Sequence, residues 1–164
     1  MLIFKSGDIF NEFSNSPNAF LMHGANCCNI MGAGIARIIK EKYPTAFEAD
    51  LKAHNKGNLG FDSSLVGNFS MALADKNNIS NRYILNLYTQ IYPGKNFELK
   101  FLIGALSKIN LNFCQSYKIN KILLPAIGCG IGGGDWDDVV KIIMKWYTLN
   151  FLNTNINVIM YFPK

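Results

Sequence analysis

Short apolar runs separated by polar turns open the chain. Residues 1–5 and 19–23 read as strands, joined by a loop through Asn15-Ser16-Pro17-Asn18. From Gly34 the spacing changes: Ile35, Ile38 and Ile39 share one helix face until Pro44 interrupts it, and a second helical stretch runs from Thr45 to about His54. Residues 66–74 and 83–88 return to strand character, the first followed by the polar turn Asp75-Lys76-Asn77-Asn78. Leu99, Leu102, Ile103, Leu106, Ile109 and Phe113 then fall at helical spacing. Residues 121–127 form a continuous apolar run of the kind found in strands covered on both faces. A last helix from Asp135 gathers Trp136, Val139, Val140, Ile143 and Tyr147, and residues 157–162 supply a final strand. Strands alternating with helices predict an α/β layered fold with a mixed central sheet.

The length of 164 residues predicts one domain over 1–164. Hydrophobic residues make up 49% and charged residues 16%, which excludes intrinsic disorder and allows a core that needs no metal or disulfide. No apolar run approaches the roughly 18 residues of a membrane span. Lys5 also arrives too soon for a signal peptide, so a cytoplasmic protein without membrane contact is expected. A net charge of +5 suits an anionic partner. Arg37 and Arg82 are the only arginines and the lysines are scattered, unlike the basic stripe of a nucleic-acid binder, so a compact anion fits better. Cys27, Cys28, Cys114 and Cys129 form no CxxC pair and only His23 and His54 accompany them, which argues against zinc. No metal and no organic cofactor are expected, and the cysteines read as small buried thiols.

Two glycine-rich segments carry the candidate chemistry: Gly32-Ala33-Gly34-Ile35-Ala36 and Gly128-Cys129-Gly130-Ile131-Gly132-Gly133-Gly134. Each leads from an apolar strand to a helix start, where glycine admits close approach of a ligand and unpaired N–H groups attract anions. Either could be an ordinary strand-to-helix turn; together they favour a diphosphate held from two sides. A Walker A loop is excluded, because no Gly-Lys-Ser/Thr occurs. Residues 128–133 do match G-x-G-x-x-G, but the following strand ends in Tyr161-Phe162-Pro163-Lys164, without the ribose-binding acid of a dinucleotide fold.

Four segments in order resemble the macrodomain family over nearly the whole chain. They are Gly7-Asp8-Ile9, His23-Gly24-Ala25-Asn26 leading into the first glycine run, Pro125-Ala126-Ile127 leading into the second, and Met160-Tyr161. The resemblance implies a three-layer α/β/α domain with a mixed sheet that binds ADP-ribose in a cleft at one sheet edge. It implies that Asp8 accepts from the adenine amino group with Ile9 beside it, and that Tyr161 lies on the adenine side. Gly32, Ala33, Gly34, Ile35 and Ala36 would wrap the distal ribose and phosphate, and Gly128, Cys129, Gly130, Ile131 and Gly132 would give N–H groups to the diphosphate. On their residues alone, Asp8 could instead cap a turn and Tyr161 could be an edge aromatic.

The resemblance leaves three activities open: a phosphatase acting on ADP-ribose 1''-phosphate, a hydrolase removing ADP-ribose from protein or nucleic acid, and a reader without turnover. Among hydrolases with an Asn-Ala-Ala-Asn motif, Asn26 matches the second Asn, but the acid after the glycine run corresponds to Ala36. In the group using a Lys and Asp pair, the Asp falls at Gly132 and the Lys at best at Lys95. The pattern is most similar to the phosphatases, so the preferred reading is a monomeric phosphatase for ADP-ribose 1''-phosphate. There His23 would protonate the leaving oxygen or orient water, its ordinary pKa of ~6.5 being suited to that work. Asn26 would hold ribose hydroxyls or phosphate. Asp135 would activate water or cap the last helix, and His23 has the alternative of a buried core histidine. Cys129 as a phosphatase nucleophile lacks the C-x5-R loop and reads as a packing residue.

Overall fold

The computed structural model describes residues 1–54 and 61–163. Six strands, β1 (Leu2–Lys5), β2 (Ala19–Asn26), β3 (Phe69–Leu73), β4 (Arg82–Gln90), β5 (Lys121–Leu124) and β6 (Asn157–Tyr161), form one sheet in the order β1-β6-β5-β2-β4-β3. All neighbours are parallel except β3, which runs antiparallel to β4 at the edge. The helices are α1 (Ile9–Ser14), α2 (Gly34–Lys42), α3 (Pro44–Ala53), α4 (Leu99–Ser107), α5 (Leu111–Ser116) and α6 (Trp136–Asn150). Among the described residues no helix is long and apolar enough to cross a membrane.

Both sheet faces are covered, as parallel strands require. Alternate residues Phe20, Met22, Leu85, Leu87, Ile122 and Leu124 pack with Leu102, Leu106, Val139 and Ile143 of α4 and α6. Leu21, Ile84, Leu123 and Ile159 face the other way, toward Phe13, Ile39 and Ala46 of α1, α2 and α3. The result is a three-layer α/β/α arrangement. Glu12 joins the second layer to the sheet, accepting from Lys5 Nζ at 2.6 Å and Lys121 Nζ at 3.0 Å. Those two bonds hold its carboxyl below the usual range.

Four elements differ from the sequence expectation. The helix α1, capped by Asp8, occupies a stretch with too few turns to show a period. Strand β3 begins at Phe69 rather than residue 66, because a 3-10 turn at Ser63–Leu65 and Gly67 at φ +71° break the extended run. The single helical pattern across Leu99 and Phe113 is two helices, the second starting where Asn110 Oδ1 accepts from Phe113 N at 3.0 Å. Strand β5 stops at Leu124, before Pro125, which has no N–H for a ladder. The end of α2 at Lys42 and the start of α3 fall where Pro44, at the first turn of α3, dictates.

Candidate functional site

A cleft of about 800 Å³ opens above the carboxyl ends of the strands, where ligands of parallel α/β sheets bind. At one end it is lined by Asp8, Ile9 and Tyr161, which follow β1 and close β6. Gly24 and Asn26 of β2 form its floor, and Gly32, Ala33, Gly34, Ile35 and Ala36 rise on one side. Gly128, Cys129, Gly130, Ile131 and Gly132 face them from the other. The two loops approach closely: a Cβ at Gly34 would lie 3.7 Å from Ile131 Cδ1.

The walls present hydrogen-bond donors. Helix α2 begins at Ala33 without a side-chain cap, and its first backbone bond is Arg37 N to Ala33 O, 3.2 Å. The N–H groups of Gly34, Ile35 and Ala36 therefore have no partner among the described residues. Across the cleft, Cys129 N donates to Ala126 O, Gly133 N to Gly130 O and Gly134 N to Gly128 O. This leaves Gly128, Gly130, Ile131 and Gly132 N–H without partners among the described residues. Expected as a diphosphate donor, the Cys129 amide is already used inside its own turn. Two groups of free donors, one at a helix start with its positive dipole end, form an anion site that needs no arginine.

What keeps the second loop in shape is Phe97. A Cβ at Gly134 would come 2.5 Å from Phe97 Cδ1 and one at Gly132 3.1 Å from Phe97 Cβ, so the ring needs bare backbone beneath it. Phe97 N also donates to Gly132 O at 3.2 Å. Gly130 has nothing within 4 Å of its Cβ position and faces open space. Gln90 Nε2 holds the neighbouring turn through Tyr92 O at 2.7 Å and Gly94 O at 3.2 Å. Lys95 lays its stem on Gly133, and its ammonium has no partner among the described residues. Phe97, Gln90 and Thr89 are absent from the sequence reading. The glycine run signals that something packs close against it, but nothing in the pattern says that Phe97 does.

His23 and Asp135, the two residues with alternative readings, and the Cys129 thiol are placed as follows. His23 does not reach the cleft: on β2 it faces α3, is 0% exposed, and its Nε2 lies 2.7 Å from Asn86 Oδ1. Asn86 Nδ2 donates to Ala46 O and Ser70 Oγ, both at 2.9 Å, so its Oδ1 must accept from His23 and Nε2 carries the proton. Burial brings the His23 pKa down to about 4. It is a neutral core histidine, with no access to a substrate. Asp135 lies outside the cleft lining and caps α6, its Oδ1 accepting from Asp138 N at 3.0 Å. Burial pushes the Cys129 thiol up to about 11, with Asp135 adding to it, so it stays protonated at neutral pH.

Asn26 lines the cleft but spends its amide on the loop above it. Its Oδ1 accepts from Cys28 N at 3.0 Å and Ile30 N at 3.4 Å, and its Nδ2 donates to Ile30 O at 2.8 Å. Asp8 both lines the cleft and caps α1, accepting from Phe10 N at 2.9 Å. Tyr161 is nearly buried, and burial raises its pKa. Two buried hydroxyls on the cleft wall, Thr89 Oγ1 and Tyr161 OH, have no hydrogen-bond partner among the described residues.

Comparison with known proteins agrees with this architecture. An uncharacterized 17.5 kDa protein of Enterobacteria phage T4 is 34% identical over 143 residues, covering 87% of this chain and 86% of that one. A DNA ADP-ribosyl glycohydrolase of Mycobacterium tuberculosis is 27% identical over 140 residues, or 85% of this chain. The match spans only 36% of that glycohydrolase. An ADP-ribose 1''-phosphate phosphatase of Meyerozyma guilliermondii is 22% identical over 169 residues, covering 90% and 95% of the two chains. The solved macrodomain of Mycobacterium tuberculosis DarG has the same fold, with a TM-score of 0.77 at 24% identity over 100% of this chain and 99% of that one. The Macro domain family profile matches residues 22–143, from the middle of β2 into α6, and so takes in both donor-bearing loops. A sheet edge built around those loops, in a sequence that meets the profile across them, makes this chain a member of the macro domain family.

Proposed function

We propose that the protein binds ADP-ribose in this cleft and hydrolyses the bond at its C1'' position, taking ADP-ribose attached to a nucleic-acid base as substrate. The observation that carries the reading is the two sets of N–H groups, without partners among the described residues, that face each other at the start of α2 and in the 128–132 loop. A diphosphate is the ligand that two such anion sites, a loop's width apart, accommodate together. Asp8 and Tyr161 at one end suit an aromatic base, which puts the distal ribose at the end near Asn26, Gly32 and Gly94. The complex of Thermosipho africanus DarTG with ADP-ribose, 23% identical and with a TM-score of 0.76, supports the choice of ligand.

A glycosidic substrate is preferred over ADP-ribose 1''-phosphate for two reasons. The phosphatase reading gave roles to His23, Asn26 and Asp135; of these only Asn26 lines the cleft, while His23 is buried against Asn86 and Asp135 caps α6. The glycohydrolase relatives match at 25–27% identity, against 22–25% for the phosphatases. Lys95 is not in the cleft lining either, but it follows the lining residue Gly94, its stem lies across Gly133 beside the diphosphate loop, and its ammonium has no partner among the described residues, so we assign it to the C1'' bond. The test is an assay of ADP-ribosylated DNA, ADP-ribosylated peptide and ADP-ribose 1''-phosphate with wild type and Lys95→Ala. Release of ADP-ribose from DNA, lost in Lys95→Ala with ADP-ribose affinity retained, is the expected result. Phosphate release from ADP-ribose 1''-phosphate alone restores the phosphatase reading, and binding without any turnover makes the protein a reader.

A further inference from the structure

Beside the distal end of the cleft two aromatic side chains meet in the open. Phe61 and Tyr92 stack with ring centroids 5.5 Å apart and planes 6° from parallel. Every other ring pair found among the described residues is tilted or edge-on. Phe61 is 39% exposed and Tyr92 57%, an unusual position for two large rings that contribute nothing to either core.

The backbone around them ties the pair to the cleft. Asp62 N donates to Cys27 O at 2.9 Å, and Cys27 N donates to Ile91 O at 2.9 Å. Both rings are thereby fixed to the segment that follows Asn26. Pro93 and Gly94, next to Tyr92, line the cleft, as does Ile30, itself 51% exposed. Tyr92 is also braced from below: its N–H donates to Asn96 Oδ1 at 3.0 Å, and its carbonyl accepts from Gln90 Nε2 and Asn96 Nδ2, both at 2.7 Å. Three residues on stands Lys95 with its free ammonium.

We propose that the Phe61–Tyr92 stack is a nucleobase platform that holds the single-stranded DNA carrying the ADP-ribose. This deepens the functional reading above and rests on it for the position of the distal ribose. A held, half-exposed ring offers a flat π-face to any base, and base–aromatic stacking is indifferent to sequence. A peptide offers a planar side chain only at some positions, whereas every nucleotide carries a planar base, which is why a nucleic acid is the partner inferred.

The test measures binding of four probes to wild type, Tyr92→Ala and Tyr92→Phe. They are free ADP-ribose, an unmodified deoxythymidine oligonucleotide, the same oligonucleotide with ADP-ribose on a base through an uncleavable linkage, and an ADP-ribosylated peptide. Tyr92 makes no side-chain hydrogen bond among the described residues and its ring is 57% exposed, so the variants are expected to keep the fold. The Kd of Tyr92→Ala for both oligonucleotides rises by about fivefold or more, the lower end of what one base stack is worth by alanine substitution. Its Kd for ADP-ribose stays within about twofold, and Tyr92→Phe behaves as wild type, since only the ring face is used. Unchanged oligonucleotide affinity in Tyr92→Ala overturns the platform. An ADP-ribosylated peptide that loses as much affinity as the DNA overturns its assignment to nucleic acid. Failure of wild type to bind ADP-ribose, with the oligonucleotide effect intact, overturns the functional reading and leaves the platform standing.

Discussion

The ring of Phe97 fills the space that a side chain at Gly128 would occupy, and Gly128 itself holds φ +77°. A residue outside the glycine loop thus dictates why the loop is glycine. Gly128→Ala overlaps the ring and strains the backbone together, and we expect it to cost roughly 1–3 kcal/mol and to weaken ADP-ribose binding. Gly130→Ala meets nothing within 4 Å. We expect it to leave the urea midpoint unchanged and to weaken only ligand binding, because Gly130 lines the cleft.

His23 makes the fold sensitive to acid. The unfolded chain takes up this proton near pH 6.5, the folded chain only near about 4, because burial disfavours the charged ring. Stability from this group is complete above pH 6.5 and falls as the pH drops toward 4, by roughly 3 kcal/mol in all. Urea unfolding of wild type and His23→Gln at pH 7 and pH 5 checks it. The variant is less stable at pH 7, and the gap narrows at pH 5. An equal gap at both values contradicts the assignment.

As a cap, Asp135 contributes stability rather than chemistry. Asp135→Ala is expected to cost about 1 kcal/mol, while Asp135→Asn, which can still accept from Asp138 N, costs less. Turnover of ADP-ribosylated DNA stays within about twofold in both. A loss of turnover in Asp135→Asn at unchanged stability would return this carboxylate to the mechanism.

Asn26 stiffens the loop that it was expected to assist by touching the ligand. Asn26→Ala removes both amide ends from Cys28 and Ile30, and costs about 1–3 kcal/mol of stability. Calorimetry should find weaker ADP-ribose binding with a less favourable entropy, as the loop must then be ordered by the ligand. Weaker binding carried by enthalpy alone points to direct contact instead.

The α/β layering and the two glycine loops were legible because they depend on local signals: apolar runs, helical spacing, Pro44, and glycines at strand ends. What the sequence left open or did not show shares a cause. His23 stands at the end of an apolar strand next to a glycine, which suggests a cleft; the sheet's alternation turns it toward α3, where Asn86 meets it from β4, 63 residues away. Asp135 carried both roles in the sequence, and the distance to Asp138 N decides for the cap. Phe97 and the Phe61–Tyr92 stack depend on contacts between segments far apart in sequence, which no periodicity records.

The central claim is that the two loops form a diphosphate site. Titration of the purified protein with ADP-ribose by calorimetry, with AMP and NAD as controls, tests it most directly. We expect saturable, micromolar, one-to-one binding of ADP-ribose, weaker binding of AMP and NAD, and loss of affinity in Gly130→Ala without loss of fold. No heat of binding with ADP-ribose, or equal affinity for AMP, contradicts the account.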